Sequence, residues 1–218
     1  MNELLQLSPG LTGVYASAPQ PLPFDSSLDI RAFFLRRKQG NLLVYSVNTL
    51  SDDSAAVRDL GGIARRYFNH WHEAMIVSDR MTAPLYCHEK ERALVAERTP
   101  IHETFAGRHL LDDDFEVIPT PGHTRGTTAF LWNNGGHRFL FTSDTIYLRA
   151  GEWVATVLGE SDRTSYVASL ELIRDLDFDV LVPWAATRGQ PYHAKTDKSD
   201  AHRRITAILE RVRRGEDR

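Results

Sequence analysis

The chain has 218 residues, with 26 Lys and Arg against 29 Asp and Glu, a formal net charge of −3, 42% hydrophobic and 25% charged residues. That balance suits one folded domain spanning residues 1–218 with a sizeable core, and it excludes an intrinsically disordered chain. The small net charge gives no bulk electrostatic reason to expect nucleic acid as a partner, and no apolar run reaches bilayer-spanning length, so no membrane role is expected.

Met1-Asn2-Glu3-Leu4-Leu5 lacks a basic segment ahead of a long apolar stretch, so no secretory signal is expected. Cys87, the single cysteine, cannot form an intrachain disulfide, and the cytoplasm is the expected compartment. From Leu7 to Val14 the sequence predicts a strand interrupted by Pro9-Gly10 and Gly13, then a polar, proline-rich loop from Ala16 to Ser27. Ile30 to Leu35 and Asn41 to Val47 are apolar runs on either side of Arg36-Arg37-Lys38-Gln39-Gly40, which predicts two strands and a charged turn. Asp52-Asp53-Ser54 starts a short helix carrying Ala55, Val57 and Leu60, and Gly61-Gly62 stops it.

Ile63 to Phe68 is expected to run as a strand into Asn69-His70-Trp71-His72-Glu73-Ala74-Met75. On an extended backbone residues i and i+2 share a side, so the imidazoles of His70 and His72 would converge and Glu73 would point away from His72. Neutral imidazole is the commonest zinc ligand, and a catalytic zinc takes three protein ligands and keeps one position open. Asp79 to Thr82 reads as loop, Ala83 to Cys87 as a strand, and Glu89 to Glu97 as a helix with Leu94 and Val95 facing inward. His88, at the end of its strand, could approach such a site but reads as a hydrogen-bonded or solvated loop histidine; His102 and His109 lack metal-like spacing and read as structural or solvent-facing, while Cys87 reads as a packing residue.

Phe115-Glu116-Val117-Ile118 alternates like a half-buried strand and delivers Thr120-Pro121-Gly122-His123-Thr124-Arg125-Gly126-Thr127, where the Pro-Gly turn presents a third histidine. Thr127 to Leu131 and Arg138 to Thr142 read as strands joined by the hairpin signal Asn133-Asn134-Gly135-Gly136, and Asp144 stands at the mouth of the second. Ser161 or Asp162 starts a helix with Tyr166, Val167, Leu170, Ile173 and Leu176 at helical spacing, all read as core. Phe178 to Val182 is a buried strand leading to Pro183-Trp184-Ala185-Ala186, and Asp197 to Asp200 caps a last helix with Ile205, Ile208, Leu209 and Val212 on one face.

His-x-His, then Pro-Gly-His-Thr, then an apolar run ending in Asp, in that order, resembles the metallo-β-lactamase fold superfamily. The resemblance implies an α+β chain, an αββα four-layer sandwich, with metal bound where strand-end loops meet. It implies His70, His72 and His123 as ligands of one metal ion, with Asp144 as a fourth ligand or a proton-handling group. Members with two ions read His-x-His-x-Asp-His, where this chain has Ala74 and Met75, and a late Pro-Gly-His-Gly, where it has Ala185 at the histidine position. The first-site ligands are kept and the private ligands of the second are missing, which implies a mononuclear site.

The expected activity is that of a metal-dependent hydrolase, with zinc as the cofactor and a small molecule carrying an ester, thioester, amide or phosphodiester bond as the substrate. Glu73 is a second candidate for handling the proton of the attacking water, and Trp71, Arg125 and Trp184 are candidates for substrate contact, with Tyr147 and Trp153 as further candidates to line the pocket. A second reading is a mononuclear iron dioxygenase acting on a sulfur substrate, since histidines with one carboxylate suit non-haem iron. A third is a degenerate member that binds a ligand or partner without turnover. His193 is a further histidine able to fill the place left at Ala185. No oligomeric state is written in these motifs.

Overall fold

The computed structural model describes residues 4–77 and 80–218. Met1 to Glu3, part of the leader reading, and Asp79, expected in a loop, lie outside them. The chain divides into two compact units, Met1–Ala106 and Gly107–Arg218.

The first unit contains β1 (Leu5–Ser8), β2 (Leu11–Ala16), β3 (Gln20–Leu22), β4 (Asp25–Ile30), β5 (Phe33–Leu35), β6 (Leu42–Val44), α1 (Ala55–Asp59), β7 (Arg65–Tyr67), β8 (Leu85–His88), α2 (Arg92–Ala96) and β9 (Glu103–Phe105). Seven strands make one sheet in the order β1-β2-β5-β6-β7-β8-β9. Pairing is antiparallel from β1 to β6 and parallel from there to β9. Phe33-Phe34-Leu35 and Leu42-Leu43-Val44 are buried throughout, as strands covered on both faces must be. Parallel neighbours need crossovers, which α1, a 3-10 helix at Trp71–Met75 and α2 provide. One cluster packs Phe68, Ala74, Leu85, Cys87 and Val95 together with Trp71, Val77 and Ile101.

The turn between β5 and β6 is held by Asn41. Its side-chain oxygen accepts from Arg37 N–H at 3.0 Å, and its amide donates to the carbonyls of Leu60 and Gly62 at 2.9 Å. Ser54 caps α1, accepting from Val57 N–H at 3.3 Å, as its position before an apolar run predicts. Three expectations change. The segment from Ala16 to Ser27, read as a loop, holds the β3–β4 hairpin, in which Gln20 pairs with Ile30 and Pro21 with Asp29. The run from Ile30 to Leu35 is two strands, because Ala32 N–H turns aside to donate to Ser17 Oγ at 3.0 Å. In the short α2 only Val95 is buried, and Leu94, expected inward, is 41% exposed.

The second unit contains β10 (His109–Leu111), β11 (Phe115–Pro119), β12 (Thr128–Asn133), β13 (Arg138–Phe141), β14 (Tyr147–Arg149), β15 (Glu152–Val154), α3 (Arg163–Asp175), β16 (Val180–Val182), β17 (Ala185–Thr187), β18 (Ala194–Lys195) and α4 (Lys198–Arg213). Its six-stranded sheet runs β10-β11-β12-β13-β16-β18. β10 to β13 form an antiparallel meander, and β16 joins β13 in parallel after the α3 crossover. Beside them β14 pairs with β15 antiparallel and β17 parallel. The β14–β15 hairpin was not expected. Its tip is Ala150-Gly151, both at positive φ, the geometry of a tight hairpin turn.

Both long helices are capped as predicted: Asp162 accepts from Thr164 N–H and Ser165 N–H, and Asp197 from Asp200 N–H. Tyr166, Leu170 and Ile173 of α3 and Ile205, Ile208, Leu209 and Val212 of α4 meet in one apolar core with Trp153, Phe178 and Leu181. The arginines of α4 are engaged along its surface, Arg203 and Arg204 with Asp200 and Arg213 with Glu171. No helix among the described residues is long and apolar enough to cross a membrane.

Candidate metal centre

In the first unit the histidine pair sits where β7 gives way to the 3-10 helix. His70 keeps the expected extended conformation, φ −159° and ψ 170°, but His72 is already inside the helix. The two rings still meet, with centroids 4.8 Å apart and planes at 86°. A 3-10 helix has about three residues per turn, so residue 73 returns to the side of residue 70. Glu73 is accordingly fully buried, with Oε1 3.5 Å from His70 Nδ1 and accepting Asn69 N–H at 2.8 Å. Its carboxylate therefore stands behind His70.

A second buried carboxylate, Glu91, accepts Trp71 N–H at 2.8 Å, so the N–H groups on both sides of His70 are held by acids. No local pattern marked Glu91, which lies twenty positions beyond Trp71 in a short Glu-Lys-Glu run. The Trp71 ring leans on His72 at 4.2 Å between centroids. Ala74, where the resemblance places an Asp, is part of the apolar cluster around Phe68 and Leu85.

In the second unit His123 is presented by a turn whose polar groups are almost all accounted for. Thr127 ties it together: its carbonyl accepts Thr120 N–H at 2.7 Å and its hydroxyl accepts Thr124 N–H at 2.8 Å. The outer carbonyls dock on the start of α3, Pro121 O accepting from Ser169 Oγ at 2.6 Å, Gly122 O from Asp162 N–H at 2.9 Å and His123 O from Ser161 Oγ at 2.9 Å. Gly122 lies at φ +140°, and a Cβ there would stand 2.4 Å from Tyr166 Cα. The turn thus needs glycine both for its conformation and for its approach to the helix.

The His123 ring is oriented by Thr156, whose carbonyl lies 2.8 Å from Nδ1. A carbonyl can only accept, so Nδ1 carries the proton and a neutral ring has its lone pair on Nε2. Nε2 faces Asp144, 3.6 Å from Oδ2. Asp144 belongs to a 3-10 turn, Ser143–Thr145, and Ser143 before it has φ +49°, a left-handed conformation that costs about 1–3 kcal/mol outside glycine. Thr142 Oγ donates to Ile146 O at 2.9 Å, and the Tyr166 hydroxyl reaches the carbonyls of Thr145 at 2.6 Å and Asp144 at 3.1 Å. Burial pushes the Tyr166 phenol far above its ordinary range, so it stays protonated.

Among the other expected residues, Arg125 is exposed just past His123, and Trp184 is buried ahead of β17, where Ala185 is also buried. His88 is a structural residue: Nδ1 accepts Lys90 N–H at 3.1 Å, Nε2 lies 3.0 Å from Ala106 O, and desolvation lowers its pKa. His109 faces solvent, with Nδ1 2.8 Å from Gly107 O, and His102 leans on Tyr86 with the rings tilted at 58° and centroids 5.4 Å apart. Cys87 is buried, which pushes its thiol up to about 12 and makes it inert at neutral pH. His193, the candidate for the place at Ala185, stands just before β18, half-buried against Tyr192, with its pKa lowered by desolvation.

The family model described as "Metallo-beta-lactamase superfamily" matches residues 56–185, a stretch holding both histidine motifs and Asp144. No curated relative matches the sequence significantly. Among solved structures, TMB-1 is similar over 97% of this chain and 98% of its own, at a TM-score of 0.70 and 14% identity. The metallo-beta-lactamase DIM-1, in a crystal structure after exposure to ceftazidime, gives 0.68 at 15% identity over 96% of each chain. FIM-1 from Pseudomonas aeruginosa, in its mono-zinc form, gives 0.65 at 14% identity over 91% of this chain and 92% of its own. At these identities the likeness shows the fold, which is the α+β metallo-beta-lactamase fold.

Proposed function

This chain belongs to the metallo-beta-lactamase superfamily, and on that premise we propose that it is a hydrolase of small molecules that works with a single metal ion, zinc, held by His70, His72, His123 and Asp144. The observation that carries the reading is the donor set itself: among the described residues, the group of acidic, histidine and cysteine side chains suited to an ion is these four, each offering one ligand atom. The set fits the metal chemically. Three imidazoles and one carboxylate are zinc ligands, and the groups behind them leave the right nitrogen available. Thr156 O fixes the proton of His123 on Nδ1, and the Glu73 carboxylate beside His70 Nδ1 favours the same choice there.

Two further observations support one ion over two. Ala74 is built into an apolar cluster, and Ala185 is a buried strand residue, so neither position offers a donor. FIM-1, which shares the fold, is known in a mono-zinc form. The two compact units would act together as one domain spanning residues 1–218, and the lone cysteine suits a cytoplasmic setting.

When bound, zinc supplies Lewis acidity, polarising a carbonyl or phosphoryl oxygen and making water a nucleophile near neutral pH. The chain's own groups do the rest. Asp144, half-buried beside His123, is placed to take the proton released by the attacking water. Glu73 is enclosed behind His70 and acts by orienting that ring. Arg125, exposed two residues after His123, and Trp71 against His72 are the candidates for holding the substrate's polar and flat parts, while Trp184, being buried, supports the wall.

Elemental analysis of protein purified without added metal, beside His70→Ala and His123→Ala, tests the reading. About one zinc per chain, lost in both variants, together with hydrolysis in an ester, thioester, lactam and phosphodiester screen, is the expected result. One iron per chain would redirect the work to oxygen chemistry on a sulfur substrate, and no metal after incubation with zinc or iron would overturn the hydrolase reading in favour of a binding protein.

A further inference from the structure

We propose that Tyr166 is a positioning residue that sets the geometry of two ligands at once, His123 and Asp144, through one buried hydroxyl; this rests on the reading of those two residues as metal ligands. By sequence Tyr166 is one more apolar position of α3, and its ring does lie in the core. Its hydroxyl does something a phenylalanine would not. The oxygen accepts Thr156 N–H at 2.9 Å, and its proton is shared between Thr145 O at 2.6 Å and Asp144 O at 3.1 Å. Thr156, held by its N–H, is the residue whose carbonyl accepts the Nδ1 proton of His123 at 2.8 Å. A continuous chain of hydrogen bonds therefore runs from the His123 ring through the Thr156 residue and the phenol to the backbone of the turn that carries Asp144.

The rest of Tyr166 reinforces this. Its main chain is the surface against which Gly122 packs, one residue before His123, and its N–H donates to Asp162 O at 2.8 Å. The turn at Asp144 includes Ser143 at positive φ, a conformation that persists only where neighbours enforce it, and the phenol is bonded to the two carbonyls that follow. A flexible side chain would not hold two loops to a fixed separation. A ring with two torsions, packed on all sides, does.

Tyr166→Phe keeps the ring and removes the hydroxyl, and Leu170→Val, one turn along in the same core, lowers stability without touching the hydrogen bonds. Zinc affinity is read by competition with a chromophoric chelator, and the His123 tautomer by nitrogen NMR of the metal-free protein. Tyr166→Phe is expected to weaken zinc binding roughly 10- to 100-fold and to turn the single Nδ1–H tautomer of His123 into a mixture, while Leu170→Val changes neither. Zinc affinity within twofold of wild type with the tautomer retained, or an equal loss in Leu170→Val, would overturn the proposal. If wild-type protein binds no zinc, the ligand reading falls, and the tautomer still decides the role of Tyr166. In unaltered protein the Thr156 amide must exchange slowly with solvent; exchange at the rate of an open loop overturns the proposal without any variant.

Discussion

Gly122→Ala is the sharpest test of how the histidine turn is held. A Cβ on Gly122 would lie 2.4, 2.5 and 2.7 Å from Tyr166 Cα, N and Cβ, distances that real Cβ atoms do not reach. The obstacle cannot step aside cheaply, because it is main chain in the first turn of α3, fixed by Tyr166 N–H to Asp162 O and by Asp162 N–H to Gly122 O, both bonds under 3.0 Å. Forcing an extra group into such a contact costs about 1–3 kcal/mol or more. The φ of +140° costs an alanine about 1–3 kcal/mol besides. The midpoints sum to about 4 kcal/mol, which for a chain of this size is a fall of roughly 8–16 °C in Tm. Gly10→Ala is the matching control, since Gly10 has φ +85° and open space around its Cβ position, so it carries only the conformational cost of about 1–2 kcal/mol. Thermal unfolding followed by circular dichroism compares the two. Equal losses in both variants would refute the claim that contact with α3, rather than backbone conformation, makes glycine obligatory before His123.

Glu73→Gln keeps the shape and an acceptor for Asn69 N–H but removes the negative charge facing His70 Nδ1, and is expected to lower zinc affinity about tenfold; an unchanged affinity in chelator competition would show that Glu73 only packs. Asp179→Asn probes a surface pair: hydrogen bonds from the Arg138 guanidinium hold the Asp179 carboxyl below the usual carboxylate range. A folded pKa depressed in this way stabilises fully above the unfolded value and is lost as pH falls through the lower folded value. The variant should therefore melt about 2–4 °C lower at pH 7, for a pair worth about 1 kcal/mol, and converge with wild type near pH 2; a gap persisting at pH 2 would refute the assignment.

What the sequence made legible is what is encoded locally. Pro121-Gly122 marks its turn, Asn133 to Gly136 marks its hairpin, and Ser54, Asp162 and Asp197 announce helices because a capping side chain acts within three residues. The ordered His-x-His, Pro-Gly-His and Asp144 positions were readable for the same reason, each standing at the end of an apolar strand run. What stayed hidden depends on distant partners. The conformation after His70 was misjudged because nothing in Trp-His-Glu-Ala-Met states that Glu91 will hold Trp71 N–H. The β3–β4 hairpin was read as a loop because its proline-rich, polar residues lack strand propensity, and pairing overrides propensity there. Tyr166 fitted the helical period so well that its hydroxyl was overlooked; the carbonyls it meets come from loops whose path no periodicity foretells.

The charges around the site bear on why this chain can dispense with the carboxylate that the resemblance places at Ala74. On the proposed single-ion reading, a divalent ion held by three neutral imidazoles and Asp144 would keep one uncompensated positive charge. Glu73, one residue earlier, brings a carboxylate to within 3.5 Å of His70 Nδ1 from the far side of the ring. A fully buried carboxylate is costly unless a positive charge stands near it. On the proposed reading, metal and Glu73 would stabilise each other across the imidazole, the ion offsetting the cost of burial and the acid strengthening His70 as a ligand. An Asp at position 74 would add a second negative charge beside Glu73, inside the cluster of Phe68, Leu85 and Val95. On the single-ion reading no second ion would neutralise that buried charge, which would then destabilise the fold, and the alanine at 74 fits the same electrostatics that would make Glu73 useful.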